Sequence, residues 1–393
     1  MKFQCNGMRP GRLVLAVVLT TLWFAGFAVG QNQIVPGSIF KAQNVPLTQG
    51  MLGVGVSADS PTDVWVVGIS SLHFDGKKWT QISTGNPNLI LNSVVALSPN
   101  DVWAAGSFQN NQGFDVEVVK HFDGKAWRNV QDLSLVGKKV AGQVVLGEVL
   151  RSITGPSSND LWAGGYLVTD NNGGRSVVPF VERFDGKKWR VSGTSFGIAN
   201  SVTAAVNGIS VLSDSDAWMV VMRDINGQAD TGAAFHFDGT KWKMVRTPVV
   251  SNSIPTAVVA VSHNDVWAVG YKNSPHATLV EHFDGKAWTV VPSPTPTGTD
   301  NVDLAGVSAI SSTDAWASGF QHSVLSGNNE PLVLHWNGSK WTIVPAPGRT
   351  GQSTTMFGVA TLASGDVWVA GTFLGTGNQK TFEPYVLFTD QGR

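Results

Sequence analysis

Beyond an apolar run near its start, the chain carries no helical period. Short apolar stretches of four to eight residues, rich in Val and Trp, alternate instead with clusters of Ser, Pro, Asn, Asp and Gly. Such punctuation predicts short strands joined by turns. Residues 93–130 serve as an example. An apolar first strand (93–97) meets a Ser-Pro-Asn turn (98–100). A Val- and Trp-rich second strand (101–107) leads into a polar loop. A third strand (117–122) reaches Asp123-Gly124, a strong hairpin signal, and a fourth follows at 125–130.

This unit recurs. Asp-x-Trp stands at Asp63, Asp101, Asp160, Asp216, Asp265, Asp314 and Asp366, at intervals of 38 to 59 residues. A Gly follows five residues after each Asp except the fourth, where Val221 replaces it. A second motif, aromatic-Asp-Gly-x-x-Trp, ends at Trp79, Trp127, Trp189, Trp242 and Trp288, with Asn337-Gly338 leading to Trp341 as a variant. Thirteen of the 15 tryptophans belong to the two motifs. Four-stranded units at this period predict an all-β fold, a seven-bladed β-propeller of four-stranded antiparallel blades. The seventh unit lacks a fourth strand, whereas residues 38–46 resemble one, with Phe40 in the Trp place. An N-terminal strand is therefore expected to complete the last blade and close the ring, which removes exposed sheet edges.

The apolar run has its own meaning. Lys2, Arg9 and Arg12 precede 17 uncharged, mostly apolar residues (13–29) and an Ala-Val-Gly end, the grammar of a signal peptide. Cleavage after residue 30 would leave a single propeller domain, 31–393, exported to the periplasm or medium. An uncleaved N-terminal membrane anchor is the alternative. The one cysteine, Cys5, precedes the apolar run, so residues 31–393 carry neither disulfide nor thiolate chemistry. Past residue 30 there are 24 basic and 28 acidic residues and no basic block, which argues against nucleic acid or anionic membrane as partner.

The pattern resembles the kelch-type propeller repeat across residues 51–388, though usually with one Gly where kelch repeats have two. The Asp-Gly-x-x-Trp turn also resembles a shortened Asp-box. Both resemblances imply a fold and leave activity open.

Residues present in every unit are expected to serve the blade. The Asp of Asp-x-Trp should satisfy backbone N–H groups of the preceding turn, and the paired tryptophans should fill the space between blades. His73, His121, His236, His282 and His335 recur before an aromatic residue, one per blade and hence too far apart to share a metal. Function is expected where the units differ. Connections between strands two and three (107–114, 166–176, 223–232, 272–277, 321–330, 374–380) vary, as do those between blades, and both classes belong to one face of a propeller. Candidate ligand contacts there are the aromatics Phe108, Tyr166, Tyr271, Phe320 and Phe373, for stacking, and Arg175, Arg223 and Lys272, for an anionic group. The loop Asp224-x-Asn226-Gly227-x-x-Asp230 offers oxygen ligands around a Gly turn, a possible Ca²⁺ loop resembling a truncated form of those in integrin-type propellers. No other cofactor is expected.

No His-Glu-x-x-His, Gly-x-Ser-x-Gly or phosphate loop is present. Asp115, Asp170, Asp230, Asp300, Asp303 and Glu330 fall in variable segments and leave paired-carboxylate chemistry open. The expectation is thus a monomeric binding module for a carbohydrate, peptide or protein ligand. The alternative is an extracellular polysaccharide-active hydrolase or lyase.

Overall fold

The computed structural model describes residues 37–47, 55–130, 134–171, 173–199, 202–225, 228–229, 232–248, 250–375 and 381–390. Among them there is no helix, and seven antiparallel sheets follow one another around an axis. Each is a blade of four strands, a to d from the axis outward. Blades 3 and 4 each carry one added two-residue strand. Strand b starts at the Asp of the Asp-x-Trp motif in blades 1 to 6 and one residue after it in blade 7, and strand d starts at the Trp of the hairpin motif. In blade 7 the outermost strand is Lys41–Ala42, whose partners are Phe388 and Leu387. The predicted closure by an N-terminal strand is therefore present.

Why these residues form blades is visible at the strand ends. In the six Asp-Gly or Asn-Gly turns between strands c and d the Gly has φ between +82° and +86°, a region that costs a Cβ-bearing residue strain. The turn's Asp accepts two backbone N–H bonds, as Asp75 does from Lys77 (3.0 Å) and Lys78 (2.9 Å). The Asp of Asp-x-Trp behaves otherwise than expected. It accepts from side chains: Asp63 Oδ1 lies 2.6 Å from His73 Nε2 and takes a bond from Trp65 Nε1 (3.2 Å). The same Asp–His contact recurs at 2.7–3.0 Å in blades 2, 4, 5 and 6, while Arg183 replaces the histidine in blade 3. The imidazole also lies over the indole, with centroids 4.2 Å apart for Trp65 and His73. Neighbouring turns already satisfy themselves through Ser and Thr, as Ser60 does for the Thr62 amide, which frees the carboxylate to tie strand b to strand c.

Blades pack through the paired tryptophans. In blades 1, 2, 4, 5 and 6 the strand-d Trp stands edge-on to the strand-b Trp of the blade before it. Trp127 meets Trp65 at 5.5 Å and 84°, Trp242 meets Trp162 at 5.7 Å and 85°, and Trp79 of blade 1 meets Trp368 of blade 7 at 5.8 Å and 76°. Edge-to-face packing adds roughly 0.5–1.5 kcal/mol per pair to the burial of each ring. The strand-b tryptophans are fully buried in six of the seven blades and nearly so in the other.

Candidate functional site

The innermost strands line an axial cavity of about 250 Å³, to which all seven blades contribute. Each strand a from blade 2 to blade 7 carries a β-bulge at the same place, and the extra residue is Asn92, Arg151, Asn207, Thr256, Ala305 or Phe357. All six line the cavity. A bulge puts two residues opposite one and re-aims a side chain. Here the one is the Gly after the Asp-x-Trp motif: a Cβ on Gly106, Gly165, Gly270, Gly319 or Gly371 would overlap the carbonyl oxygen two residues before the bulged one. This explains the repeated Gly. Blade 4 keeps its bulge opposite Val220 and Val221 without a Gly.

The bulged side chains link blades around the axis. Asn92 Nδ2 donates to Leu150 O (2.7 Å), Asn207 Nδ2 to Pro255 O (2.7 Å), and Thr256 Oγ1 to Leu304 O. Arg151 departs from this backbone pattern and donates to the Asn207 side chain. Its guanidinium carbon lies 4.9 Å from the Tyr166 ring centroid, and Nη1 is 3.6 Å from Met222 Sδ. Burial pulls the Arg151 pKa down, opposed by Tyr166 and Tyr271, which favour the cation. Burial holds the Tyr166 hydroxyl above its ordinary value, with Arg151 pulling the other way and Asp115 adding to the rise.

A second group faces this one. Tyr271 is raised by burial and then by the nearby Asp303 charge, while Arg151 lowers it; its hydroxyl thus feels a cation on blade 3 and an acid on blade 6. Burial raises Asp303 itself to about 8. Its Oδ1 is sealed from solvent and finds no hydrogen-bond partner among the described residues. At neutral pH this carboxyl is mostly protonated, an uncharged donor rather than an anion. Arg151, Tyr271 and Asp303 therefore form a mixed polar cluster drawn from three blades. Tyr271 lies near the end of its strand b and Asp303 near the start of its strand a, toward the face of the variable connections.

The expected site residues divide. Tyr166, Phe320 and Phe373 are 2%, 5% and 3% exposed, so they cannot offer a free stacking face; Phe108 and Tyr271 are half-buried. The reason is that strands b and c run further than the polar residues suggested. In blade 3 they pair without a break from Leu161↔Phe184 to Asn171↔Gly174, which puts Tyr166 opposite Pro179 inside the sheet. Arg175 likewise pairs with Asp170 in this hairpin and lies over the Phe114 ring at 5.5 Å, rather than in a loop. Arg223 and Lys272 also belong to strand b, opposite Ala204 and Ser253. Asp224 is the last but one residue of the same strand as Arg223, paired with Thr203; Asn226 and Asp230 lie outside the described residues. Of the acids in variable segments, Asp300 contacts His322 at 2.6 Å, and Glu330 accepts from Gln321 and Ser326.

Two features of this face had no motif to announce them. Val324 and Leu325, at the tip between strands b and c of blade 6, are 60% and 97% exposed. Beside them a groove of about 110 Å³, lined among others by Asn328, Glu330, Arg349 and Gln352, runs between blades 6 and 7. Arg349 lies 4.3 Å over the Phe373 ring, so that buried aromatic supports a cation.

No protein-family model and no curated protein matches the chain. Solved structures do match in fold. YCF48 bound to D1 peptide superposes with a TM-score of 0.52 at 12% identity, covering 93% of this chain and 98% of that one. The WD40 β-propeller domain of Doa1 gives 0.51 at 11%, over 90% and 98%. The Hadza microbial sialidase Hz136 gives 0.50 at 11%, over 83% and 72%. At such identities the likeness is one of fold.

Proposed function

We propose that the chain is an exported binding module. Its peptide or carbohydrate ligand lies over the loop-face mouth of the axial cavity and presents an anionic group to Arg151. The observation that carries this is Arg151 itself. At the other five bulges the re-aimed residue is neutral, and three of those five bond to the next blade's backbone. A guanidinium at this place is not needed to join blades, and its desolvation must be offset by something worth binding. Tyr271 and neutral Asp303 add donors beside it, while Val324, Leu325 and the Arg349 groove extend the same face outward. That one propeller of the same fold is seen with a peptide supports the peptide branch by analogy of fold alone. The repeat resembles the kelch type, with Asp-box-like turns. A Ca²⁺ ion at Asp224 remains a proposal for the blade 4 loop.

The hydrolase alternative draws on one observation. Asp303, protonated near neutral pH, has the property of a general acid. It needs a second carboxylate at roughly 5–9.5 Å. Glycan and peptide arrays screened with the wild-type chain and with Arg151→Ala test the binding reading. Specific binding that the substitution abolishes supports it. Binding indifferent to Arg151, or turnover of a polysaccharide abolished by Asp303→Asn, refutes it.

A further inference from the structure

The opposite face, where the a–b and c–d turns lie, holds a second cluster. Asp216 begins strand b of blade 4 and, like its counterparts, contacts the histidine of strand c, with Oδ1 2.8 Å from His236 Nε2. Its other oxygen, Oδ2, lies 3.0 Å from Nδ1 of His263, which sits in the a–b turn of blade 5. The two imidazoles are 5.2 Å apart at 69°, and one ligand atom from each of the three residues lies within 4.8 Å of the others. Among the described residues this is the one group of three such side chains.

The repeat shows what is special. The turn residue two before each motif Asp is Pro61, Pro99, Ser158, Asp214, His263, Ser312 or Ser364. In blade 3 that residue, Ser158, donates to Asp101 of blade 2. A hydroxyl is therefore enough to occupy the slot, and only blade 5 fills it with an imidazole. Trp218 Nε1 makes no bond to Asp216, as Trp267 and Trp368 make none to their aspartates, whereas Trp65, Trp103, Trp162 and Trp316 do. Asp216 thus serves two imidazoles and no indole.

We infer that Asp216, His236 and His263 form a binding site for a divalent first-row transition metal ion such as Zn²⁺, held between blades 4 and 5. Two imidazole nitrogens and one carboxylate select such an ion over Ca²⁺ or Mg²⁺, which prefer all-oxygen shells. Each imidazole nitrogen lies 2.8–3.0 Å from an Asp216 oxygen and the three ligand atoms lie within 4.8 Å of one another, a span that an ion bonded at about 2.0–2.2 Å can draw together. The His263 side chain is 63% exposed, against 15% and 18% for His236 and Asp216, so the fourth position opens to solvent. The Trp218 ring, 4.5 Å away, holds His236 in place from behind. Binding would displace the imidazole proton in each present hydrogen bond and cross-link two blades.

The test is titration of the untagged, chelator-stripped chain with ZnCl₂ by calorimetry, with Co²⁺ absorption as a spectroscopic readout, on wild type and His263→Ser. Serine stands at this turn position in blades 3, 6 and 7, so the variant keeps the fold, which its metal-free melting temperature verifies. One Zn²⁺ per chain is expected. His263→Ser should weaken it by more than about tenfold, at least the cost of an outer-shell partner, and the rise in melting temperature with Zn²⁺ should vanish. Absence of saturable binding, a site that survives His263→Ser unchanged, or several equivalent ions at the recurring Asp–His pairs would each overturn the assignment.

Discussion

Phe40 stands edge-on to Trp316, with ring centroids 5.9 Å apart and planes at 90°. It is 4% exposed, and it occupies in blade 7 the place held by Trp in the other six blades. One aromatic ring, just before an N-terminal strand of two residues, thereby fills the last blade interface.

Phe40→Ala should cost about 3–5 kcal/mol, the usual range for emptying a buried aromatic site, read as a lower midpoint in chemical denaturation. Phe40→Trp should be tolerated, because the same interface accepts Trp around the rest of the ring. Removing residues 31–47 should lower the melting temperature further than Phe40→Ala does. An unchanged melting temperature would mean that the strand does not hold the ring.

Asp63 is 3% exposed and ties strand b to strand c through His73 and Trp65. Asp63→Ala leaves the buried Trp65 indole and the partly buried His73 without their partner and should destabilise the chain by about 1.5–3 kcal/mol. His73→Phe copies blade 7, where Phe388 lies over Trp368 at 4.3 Å, and should cost less. Paired denaturation curves for the two variants check the order.

Burial raises Asp303 to about 8 and Glu281 to about 7, from ordinary values of 3.8 and 4.5. A carboxyl whose pKa is higher folded than unfolded contributes stability that is full below its unfolded pKa and is lost as pH rises through the folded one. Their share of the stability should therefore fall between about pH 4 and pH 8. Asp303→Asn, which cannot ionise, should gain on wild type as pH rises across that window. The difference between the two melting profiles isolates the group from the surface carboxylates, such as Asp123 and Asp238, whose lowered pKa values act in the opposite sense.

Tyr271→Phe removes the hydroxyl that feels both Arg151 and Asp303 while keeping the ring. If the axial cluster holds the ligand, affinity should fall by about tenfold, the worth of one hydrogen bond to a charged group, with little change in stability. A Kd equal to that of wild type would move the ligand outward, to Leu325 and the Arg349 groove.

The blades, their number and their closure were legible because the two motifs mark strand starts, and strand starts repeat. The axial cluster was not. Val149-Leu150-Arg151-Ser152 reads as one more apolar strand, and its Arg enters the cavity only because a bulge breaks the alternation. A lone cation in that strand, at the place where other units have Asn or Thr, was the available signal. The loop aromatics misled for a related reason: polar residues such as Asp170 and Asn171 look like loop but continue the hairpin, so Tyr166 lies within a sheet. The contact of His263 with Asp216 depends on which blades are neighbours across a turn, and local spacing within one unit does not carry it.

The strand that completes blade 7 is synthesised before any blade it could join. Residues 41–42 leave the ribosome, and pass any export channel that admits the chain N-terminus first, more than 300 residues ahead of their partners 387–388. Until those partners arrive, the ring has two open edges, so blade-by-blade assembly can progress but cannot finish. Ring closure is then the slow, long-range step that contact-order arguments assign to distant strand pairing. The interval before it is when this chain is most exposed to proteases and to edge-to-edge association with its own copies.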